Sequence, residues 1–421
     1  MRGGQRVALR ELLVALESGG RPKGGVKGIA TGVPSLGGEH LDANGGFRLE
    51  RIRYVPYEFA ASMRHGRIAV GDVLVVKDGA TTGKVSLIRD SFPYKRAVIN
   101  EHVFLCRCNE RIDPRYLFWY LFSLEGQKAI LSDFRGAAQG GISQRFADLV
   151  QVPLWPIDEQ GRIVAEIERQ VSRLDEAVAN LKRVATRLNG YRLRVLDDAF
   201  TSKANSTLGE VICEGPQNGL YLPKDAYGSG TPIVRIDDYQ TAWMRPVAEL
   251  RRVRAAASQL STWALKPGDL LVNRVNSMSH LGKCVVVPDA LAGALFESNM
   301  MRFHLGPGAL PRYVQLYLAS RIGKRRLTAK AKWAVNQASI NQKDLQATEI
   351  PLPSPEHQAQ IVTDLDLRLS IAREVEAEVD ANLNRARALR QACIAMAFEA
   401  RSNGNAVTGA GSDQSASVSK R

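Results

Sequence analysis

The sequence predicts an α+β protein, with two mixed α/β domains joined and separated by two long helices that form an antiparallel coiled coil with internal pseudo-twofold symmetry. Three observations predict this architecture. The chain repeats itself at an offset of about 198 residues, each repeat opens with short apolar runs broken by glycine turns, and each closes in a long stripe of apolar positions three and four apart. Gly71-Asp72-Val73-Leu74 recurs as Gly268-Asp269-Leu270-Leu271, and Ile142-Ser143-Gln144 as Ile340-Asn341-Gln342. VPLWPIDEQGRIV (152–164) answers IPLPSPEHQAQIV (350–362), and Leu196 to Phe200 answers Ile394 to Phe398. Coincidence does not hold register across that many elements. The repeat is a duplicated module of domain size, because solenoid repeats run to only about 20–50 residues.

The 421 residues exceed what one hydrophobic core usually serves, and the repeat places the two domains. With 45% hydrophobic and 24% charged residues the composition is that of a soluble globular protein. A formal charge of +14 makes a polyanion such as nucleic acid a reasonable partner, although a basic protein without one has the same charge. The five cysteines, Cys106, Cys108, Cys213, Cys284 and Cys393, form no CxxC pairs, which points to a reducing cytoplasmic setting and away from a zinc site. No apolar stretch is long enough for a membrane span, and the N-terminus lacks a small-residue cleavage pattern.

Taken in order, RIAVGDVLVVKDGATTGKVSLI (67–88) and LKPGDLLVNRVNSMSHLGKCVVV (265–287) read as strand, turn, strand, with the Gly-Asp pairs as turn signals. Upstream, Val7 to Leu13 resembles Ser206 to Ile212, and GVPS (32–35) resembles GTPI (230–233). A helix follows in each half. Asp113 is placed as its N-cap and Pro114 at its first position, with Pro311-Arg312-Tyr313 opening the counterpart. Polar loops come next, GAAQGGISQ (136–144) and WAVNQASINQ (333–342), and a short strand, VQVPLW or TEIPLP, closes each mixed region.

The first long helix carries its stripe on Ile163, Ile167, Val171, Leu174, Val178, Leu181, Ala185, Leu188 and Val195. The second carries Ile361, Leu365, Leu369, Ala372, Val375, Val379, Leu383, Ala386, Leu389, Cys393 and Met396. Forty residues of helix make a rod of roughly 60 Å, too long to bury its stripe on one small domain. Mutual packing as a coiled coil is the simplest solution, with core faces of separate bundles as the alternative. These readings divide the chain at 1–156, 157–203, 204–354 and 355–400, with a small, polar, disordered tail at 401–421.

The sequence offers no catalytic motif. DGATTGK (78–84) suggests a phosphate loop, but Gly79 and Gly83 enclose three residues where four are needed, and Val85 stands where a Mg-binding hydroxyl belongs. There is no GxGxxG after a strand, no HExxH, no GxSxG and no Pro-Pro dipeptide, so the (D/N)PPY motif of adenine methyltransferases is missing. His40, His65, His102, His280, His304 and His357 are dispersed. No cofactor and no metal is expected.

The polar loops suit the reading of DNA, where Arg and Lys serve guanine, Asn and Gln serve adenine, and Lys, Arg, Ser and Thr hold phosphates. Candidate readers in the first half are Lys77, Thr81, Thr82, Lys84, Gln139, Gln144 and Arg145. In the second half they are Arg274, Asn276, Ser277, Lys283, Asn336, Gln337 and Asn341. For any one of them taken alone a solvated loop residue is the commoner reading. Corresponding loops in the two halves are polar and basic yet differ in sequence.

Two variable mixed domains, each closed by a (V/I)PL----(E/H)Q--I segment and a long helix, resemble the specificity subunit of type I restriction-modification systems. The segments here are VPLWPIDEQGRI and IPLPSPEHQAQI, and the resemblance runs from about Val7 to Phe398. His357 departs from the family's pattern, standing between Glu356 and Gln358 as if inserted into the usual Glu-Gln pair. The resemblance implies a non-catalytic, cytoplasmic, DNA-binding subunit. Each mixed domain is then a target-recognition domain that reads one half of a bipartite, asymmetric site in double-stranded DNA. The helices set the spacing and carry two methyltransferase (modification) subunits, and the resemblance leaves open whether motor-nuclease (restriction) subunits join them. The competing readings are a stand-alone DNA-acting enzyme, either a nuclease or a nucleotide-dependent protein, and a coiled-coil adaptor with no DNA role.

Overall fold

The computed structural model describes residues 5–136, 140–240, 243–334 and 337–403. They form two compact units, one drawn from Met1–Asn180 with Asn382–Arg421 and the other from Leu181–Ala381. The expected tail lies outside the described residues from position 404 onward.

The first unit holds β1 (Gln5–Ala8), β2 (Leu13–Ser18), β3 (Val33–Leu36), β4 (Arg53–Val55), α1 (Tyr57–Ser62), β5 (Val73–Val76), β6 (Val85–Leu87), β7 (Val98–Ile99) and β8 (Val103–Cys108). After these come α2 (Pro114–Phe122), α3 (Leu124–Leu131), α4 (Phe146–Leu149), β9 (Gln151–Leu154) and the first part of α5 (Ile157–Ala199). Its main sheet is antiparallel in the order β2-β8-β5-β6, beside a β4-β3-β7 sheet in which β3 and β7 run parallel and a β1-β9 pair. The strand-turn-strand expected at 67–88 is β5 and β6, in register from Val73 opposite Leu87 to Val75 opposite Val85.

The second unit contains the end of α5, then β10 (Ser206–Thr207), α6 (Leu208–Val211), β11 (Ile212–Asn218), β12 (Tyr227–Val234), β13 (Tyr239–Gln240), β14 (Trp243–Met244), β15 (Arg252–Val253) and α7 (Ala257–Trp263). It continues with β16 (Leu270–Asn273), β17 (Val275–Asn276), β18 (Cys284–Val286), β19 (Leu295–Phe296), β20 (Met300–Leu305), α8 (Pro311–Ala319) and α9 (Arg321–Thr328). The remaining elements are β21 (Lys332–Ala334), β22 (Gln337–Ser339), α10 (Gln342–Gln346), β23 (Glu349–Ile350) and α11 (Pro355–Asn403), whose later residues belong to the first unit. The sheets β11-β20-β16-β18, β15-β12-β19 and β10-β23 repeat the strand orders of the first unit. The β17-β22-β21 sheet and the β13-β14 pair are reduced in the first unit to single antiparallel bridges, Gly141 with Asp78 and Arg135, and Leu41 with Phe47.

The Gly-Asp turns have a local cause. Gly71 and Gly268 sit at φ +90° and +83°, a conformation open to glycine without strain. The following carboxylate accepts from the backbone three residues back, Ala69 N at 2.7 Å and Lys266 N at 2.8 Å. Asp72 also receives Arg107 through Nε at 2.8 Å, whereas Asp269 has His304 Nδ1 at 2.9 Å.

The single helix expected after these sheets is two in each unit. Asp113 caps α2 as expected, accepting from Arg115 N. Ser123 then breaks the run by capping α3 through Gly126 N, and Ser320 does the same for α9 through Gly323 N. Neither glycine can carry a side chain, because a Cβ would lie 2.0 Å from Tyr120 O or 2.1 Å from Tyr317 O.

The stripe of α5 is where the periodicity puts it, with Ile163, Ile167, Val171 and Val195 buried and the positions between them half-buried. The stripe of α11 needs correction. Leu365, Leu369, Ala372, Val379 and Ala386 are buried, but Val375, Leu389 and Met396 are 40%, 53% and 58% exposed. The inward row continues instead through Arg390, Ile394 and Phe398, because steps of four from Ala386 keep to that face where the apolar spacing drifts off it. The helix also extends to Asn403, three residues past the expected end.

Within each unit the two long helices run antiparallel. In the first, Asp175 pairs with Arg390 at 2.8 Å, and Ile394 and Phe398 enter the core that holds Ile163 to Val171. In the second, Arg192 pairs with Glu376 at 2.9 Å, and Val195 to Phe200 share a core with Leu365 and Leu369.

Candidate nucleic-acid interface

The closing motif anchors each long helix to its mixed region through a buried glutamine. Gln160, with no exposure, accepts from Asp113 N at 2.8 Å and donates to Arg111 O at 3.0 Å and Trp155 O at 2.7 Å. Gln358 accepts from Leu310 N at 2.9 Å and donates to Gly308 O at 2.9 Å and Pro353 O at 2.8 Å. His357 is therefore no insertion. It replaces Glu159 at an unchanged spacing, and Ser354 serves the first turn through its backbone carbonyl, which accepts from Gln358 N at 2.9 Å.

Two tyrosines on α2 and two on α8 tie the closing strand down. Tyr116 and Tyr120 donate to Pro153 O and Gln151 O, and Tyr313 and Tyr317 donate to Pro351 O and Glu349 O. Burial raises the phenol pKa of each above the ordinary range, that of Tyr120 to about 12. These are structural hydroxyls.

On this frame the loops expected to read DNA come together in pairs. In the first unit the turn 77–84 and the loop 135–145 are about 60 residues apart in sequence, yet Ile142 N donates to Lys77 O at 2.8 Å and Gly79 N to Gly140 O at 3.3 Å. Buried Asp133 holds the second loop, accepting from Ser143 N at 2.8 Å and Ser143 Oγ at 2.7 Å. His102 Nδ1 lies 2.6 Å from Asp78 Oδ1 and holds the first. In the second unit the same junction is a sheet. Ile340 N donates to Arg274 O at 2.9 Å, and β17 and β21 flank β22 in antiparallel register.

The candidate side chains differ in what they can offer. Gln144 and Arg145 are exposed at the start of α4, and Gln337 is exposed on β22. Lys77 and Lys84 are half-buried, with Lys77 Nζ 5.8 Å from the Phe104 ring. Thr81 and Thr82 shape the turn, Thr82 Oγ1 donating to Gly79 O at 2.7 Å. Asn276 turns its side-chain oxygen to Ser277 N at 2.8 Å, and Ser277 Oγ lies 3.0 Å from Ser279 Oγ.

Arg274, Lys283 and Asn341 serve the scaffold. Arg274 Nη1 donates to Ser298 O at 3.2 Å. Lys283 sits 5.0 Å over the Tyr239 ring, with burial lowering its pKa. Asn341 caps α10 through Asp344 N at 3.1 Å, and Asp344 answers Asn341 N at 2.9 Å. Gln139 and Asn336 lie outside the described residues.

Two exposed residues beside these loops are not among the candidate readers. Arg135, 67% exposed, bridges to Gly141, and Trp333, 73% exposed, sits on edge strand β21. The cue was present for Trp333, an aromatic between Lys330, Lys332 and the Asn-Gln segment. Among the described residues no cluster of ligating side chains could hold a metal ion, and no helix is long and apolar enough to cross a membrane.

The fold is shared with solved chains of type I restriction-modification systems. A chain from a structure described as showing complex assembly and conformational transition of the type I R-M system superimposes with a TM-score of 0.73 at 20% identity, covering 94% of this chain and 97% of that one. The HsdS subunit from Thermoanaerobacter tengcongensis does so at 0.50 and 21% identity, covering 94% and 96%. No family model matches the chain.

Its sequence is 25% identical over 243 residues to the type I restriction enzyme EcoKI specificity subunit of Escherichia coli (strain K12), covering 54% of this chain and 52% of the relative. It is 25% identical over 267 residues to the StySPI specificity subunit of Salmonella potsdam, covering 60% and 57%. The matches thus span a little over half the length of these relatives. In both sequence and fold the chain is thus similar to type I restriction enzyme specificity subunits.

Proposed function

We propose that this chain is the non-catalytic, DNA-reading subunit of a type I restriction-modification complex, recognising an asymmetric bipartite site in double-stranded DNA. In this reading residues 1–156 and 204–354 are the target-recognition domains. Residues 157–203 and 355–400 are the spacer helices of an antiparallel coiled coil with pseudo-twofold symmetry. Two methyltransferase subunits dock on the assembly, and motor-nuclease subunits join where restriction accompanies modification. Its setting is the cytoplasm, DNA is its ligand, and the chain itself needs no cofactor.

The observation that carries the reading is the pairing of loops. In each unit two polar segments distant in sequence are joined by backbone hydrogen bonds into one edge, Ile142 to Lys77 and Ile340 to Arg274, on closely similar scaffolds whose loop residues differ. A shared scaffold with divergent loops suits two readers of two different sequences, because side chains at base edges set specificity while the frame sets register. Stiff helical spacers favour half-sites at a fixed separation, and joining two readers raises the effective concentration of the second.

Genome-wide mapping of methylated adenines, with and without the gene for this chain, tests the proposal. A two-part motif with a fixed gap that vanishes on deletion is the expected result. Unchanged methylation would sink it, and hydrolysis of DNA by the purified chain alone would favour the stand-alone enzyme.

A further inference from the structure

Trp333 is the most exposed tryptophan side chain among the large apolar residues of the described structure, 73% accessible on the outer strand of β17-β22-β21. Single apolar residues on a surface are ordinary, so exposure alone says nothing. Its neighbours say more. In the register of the sheet Trp333 faces Ala338, and Ala338 faces Asn276 on the other side, so the indole, a buried alanine and a candidate reader form one cross-strand row. Lys332 faces Ser339 in the adjacent row and is exposed, as is Lys330 just before the strand. An exposed aromatic that follows two exposed lysines, in line with an amide, matches a strand of nucleic acid, whose bases offer π-faces and whose phosphates offer charge.

Among the described residues of the first unit this arrangement is not found. At the offset of 198 residues Trp333 answers Arg135, which lies 3.6 Å from Asp133. The aromatic beside it, Phe134, lies over its own loop, where a Cβ on Gly140 would come within 2.2 Å of Phe134 Cζ.

We propose that Trp333 stacks on a nucleobase or wedges against a base step in the half-site read by the 181–381 unit, with Lys330 and Lys332 holding the flanking phosphates. The contact rests on the DNA-reading function above and deepens it: one half-site is read with an aromatic probe and the other without. Partial unstacking by an inserted apolar side chain makes recognition depend on how easily a step deforms, which adds preference at positions no polar side chain touches.

The test uses the full chain assembled with its methyltransferase subunits and short duplexes carrying the methylated motif. W333A should weaken binding by about tenfold or more and W333F should restore most of it. With 2-aminopurine moved base by base through that half-site, wild type and W333F should change the emission at one position and W333A should not. Binding of W333A within twofold of wild type overturns the contact. So does loss of methyltransferase subunits from W333A with the aminopurine response intact, which would make Trp333 a protein-docking residue. A wild-type complex that shows no sequence preference at all overturns the DNA-reading function and this contact with it.

Discussion

The ring of Phe398 meets that of Tyr116 edge-on at 5.3 Å and that of Tyr120 at 5.6 Å, so a residue from the end of α11 closes the core built around α2. Phe200 does the same for Tyr313 and Tyr317, at 5.4 and 5.3 Å. Each unit thus depends on a long-helix end from outside its mixed region, Phe398 from far along the chain and Phe200 from just before it.

Truncating either phenylalanine should therefore cost more than a surface change. F398A removes a buried ring and leaves a cavity against two tyrosines, a loss of about 3–5 kcal/mol. F398L should recover part of it. Denaturant unfolding of both variants checks this, and F200A should behave alike. A loss below about 1 kcal/mol for both alanine variants would show that these rings are not core.

Gln160 and Gln358 give a sharper chemical test. Each satisfies one backbone N–H and two carbonyls at a site closed to water. Q160A strands those groups and should destabilise by about 2–4 kcal/mol. Q160E is nearly isosteric but should fare no better, because a carboxylate cannot donate to Arg111 O and Trp155 O. Equal stability of Q160E and wild type would show that the donors do not matter.

How far the sequence was legible follows from these residues. The sheets, the Gly-Asp turns and the stripe of α5 were readable because each rests on local periodicity or a backbone angle. The break at Ser123 was not, since PRYLFWYLF and LEGQKAIL look like one helix until Gly126 meets Tyr120 O. The stripe of α11 missed at Val375 and again beyond Ala386 because apolar spacing identifies a face only approximately, and Arg390, held by Asp175 over the Phe122 ring, occupies the inward row. The loop pairs were recognisable as polar loops, but their junction through Ile142 and Ile340 is tertiary. Roles such as the Asn341 cap appear only once the short helix after it is seen.

The structure divides the candidate readers, and the division can be measured. Alanine at Gln144 or Arg145 should weaken recognition of one half-site only, and alanine at Gln337 the other only, by about 1–3 kcal/mol per lost base contact, with little change in stability. Alanine at Arg274, Lys283 or Asn341 should lower the melting temperature first. Methylation counts over sites with one altered base, set beside melting curves, separate the groups. Equal loss at both half-sites from any exposed-loop variant would contradict the assignment.

Acid should release one tie in the second unit. Glu214 is held below the ordinary carboxylate range by its hydrogen bond from Lys266, with Arg302 adding to it. A carboxylate whose pKa is depressed by folding stabilises fully above its unfolded value, and that contribution disappears as pH falls through the folded value. Because the pair is largely solvent-exposed, the effect is about 0.2–1 kcal/mol. E214Q should thus be slightly less stable than wild type at neutral pH and equal to it once both are below the carboxylate range. A gap that widens with acid would reverse the sign and rule out this tie.

Salt separates contacts that hold DNA from contacts that read it. A complex that neutralises six or more phosphates should lose about a thousandfold in affinity between 50 and 200 mM salt, through release of condensed counterions. Arg135 and Lys332 are exposed cations at the two loop edges, in the first and second unit respectively. If they contact phosphates, R135A and K332A should each flatten the log-log slope by about one and weaken binding to all sequences alike. Gln144 and Gln337 carry no charge, so their alanine variants should keep the slope and change only the ratio of specific to non-specific affinity. A reduced slope in the glutamine variants, or an unchanged one in both cation variants, would mean that phosphate holding and base reading are not divided in this way.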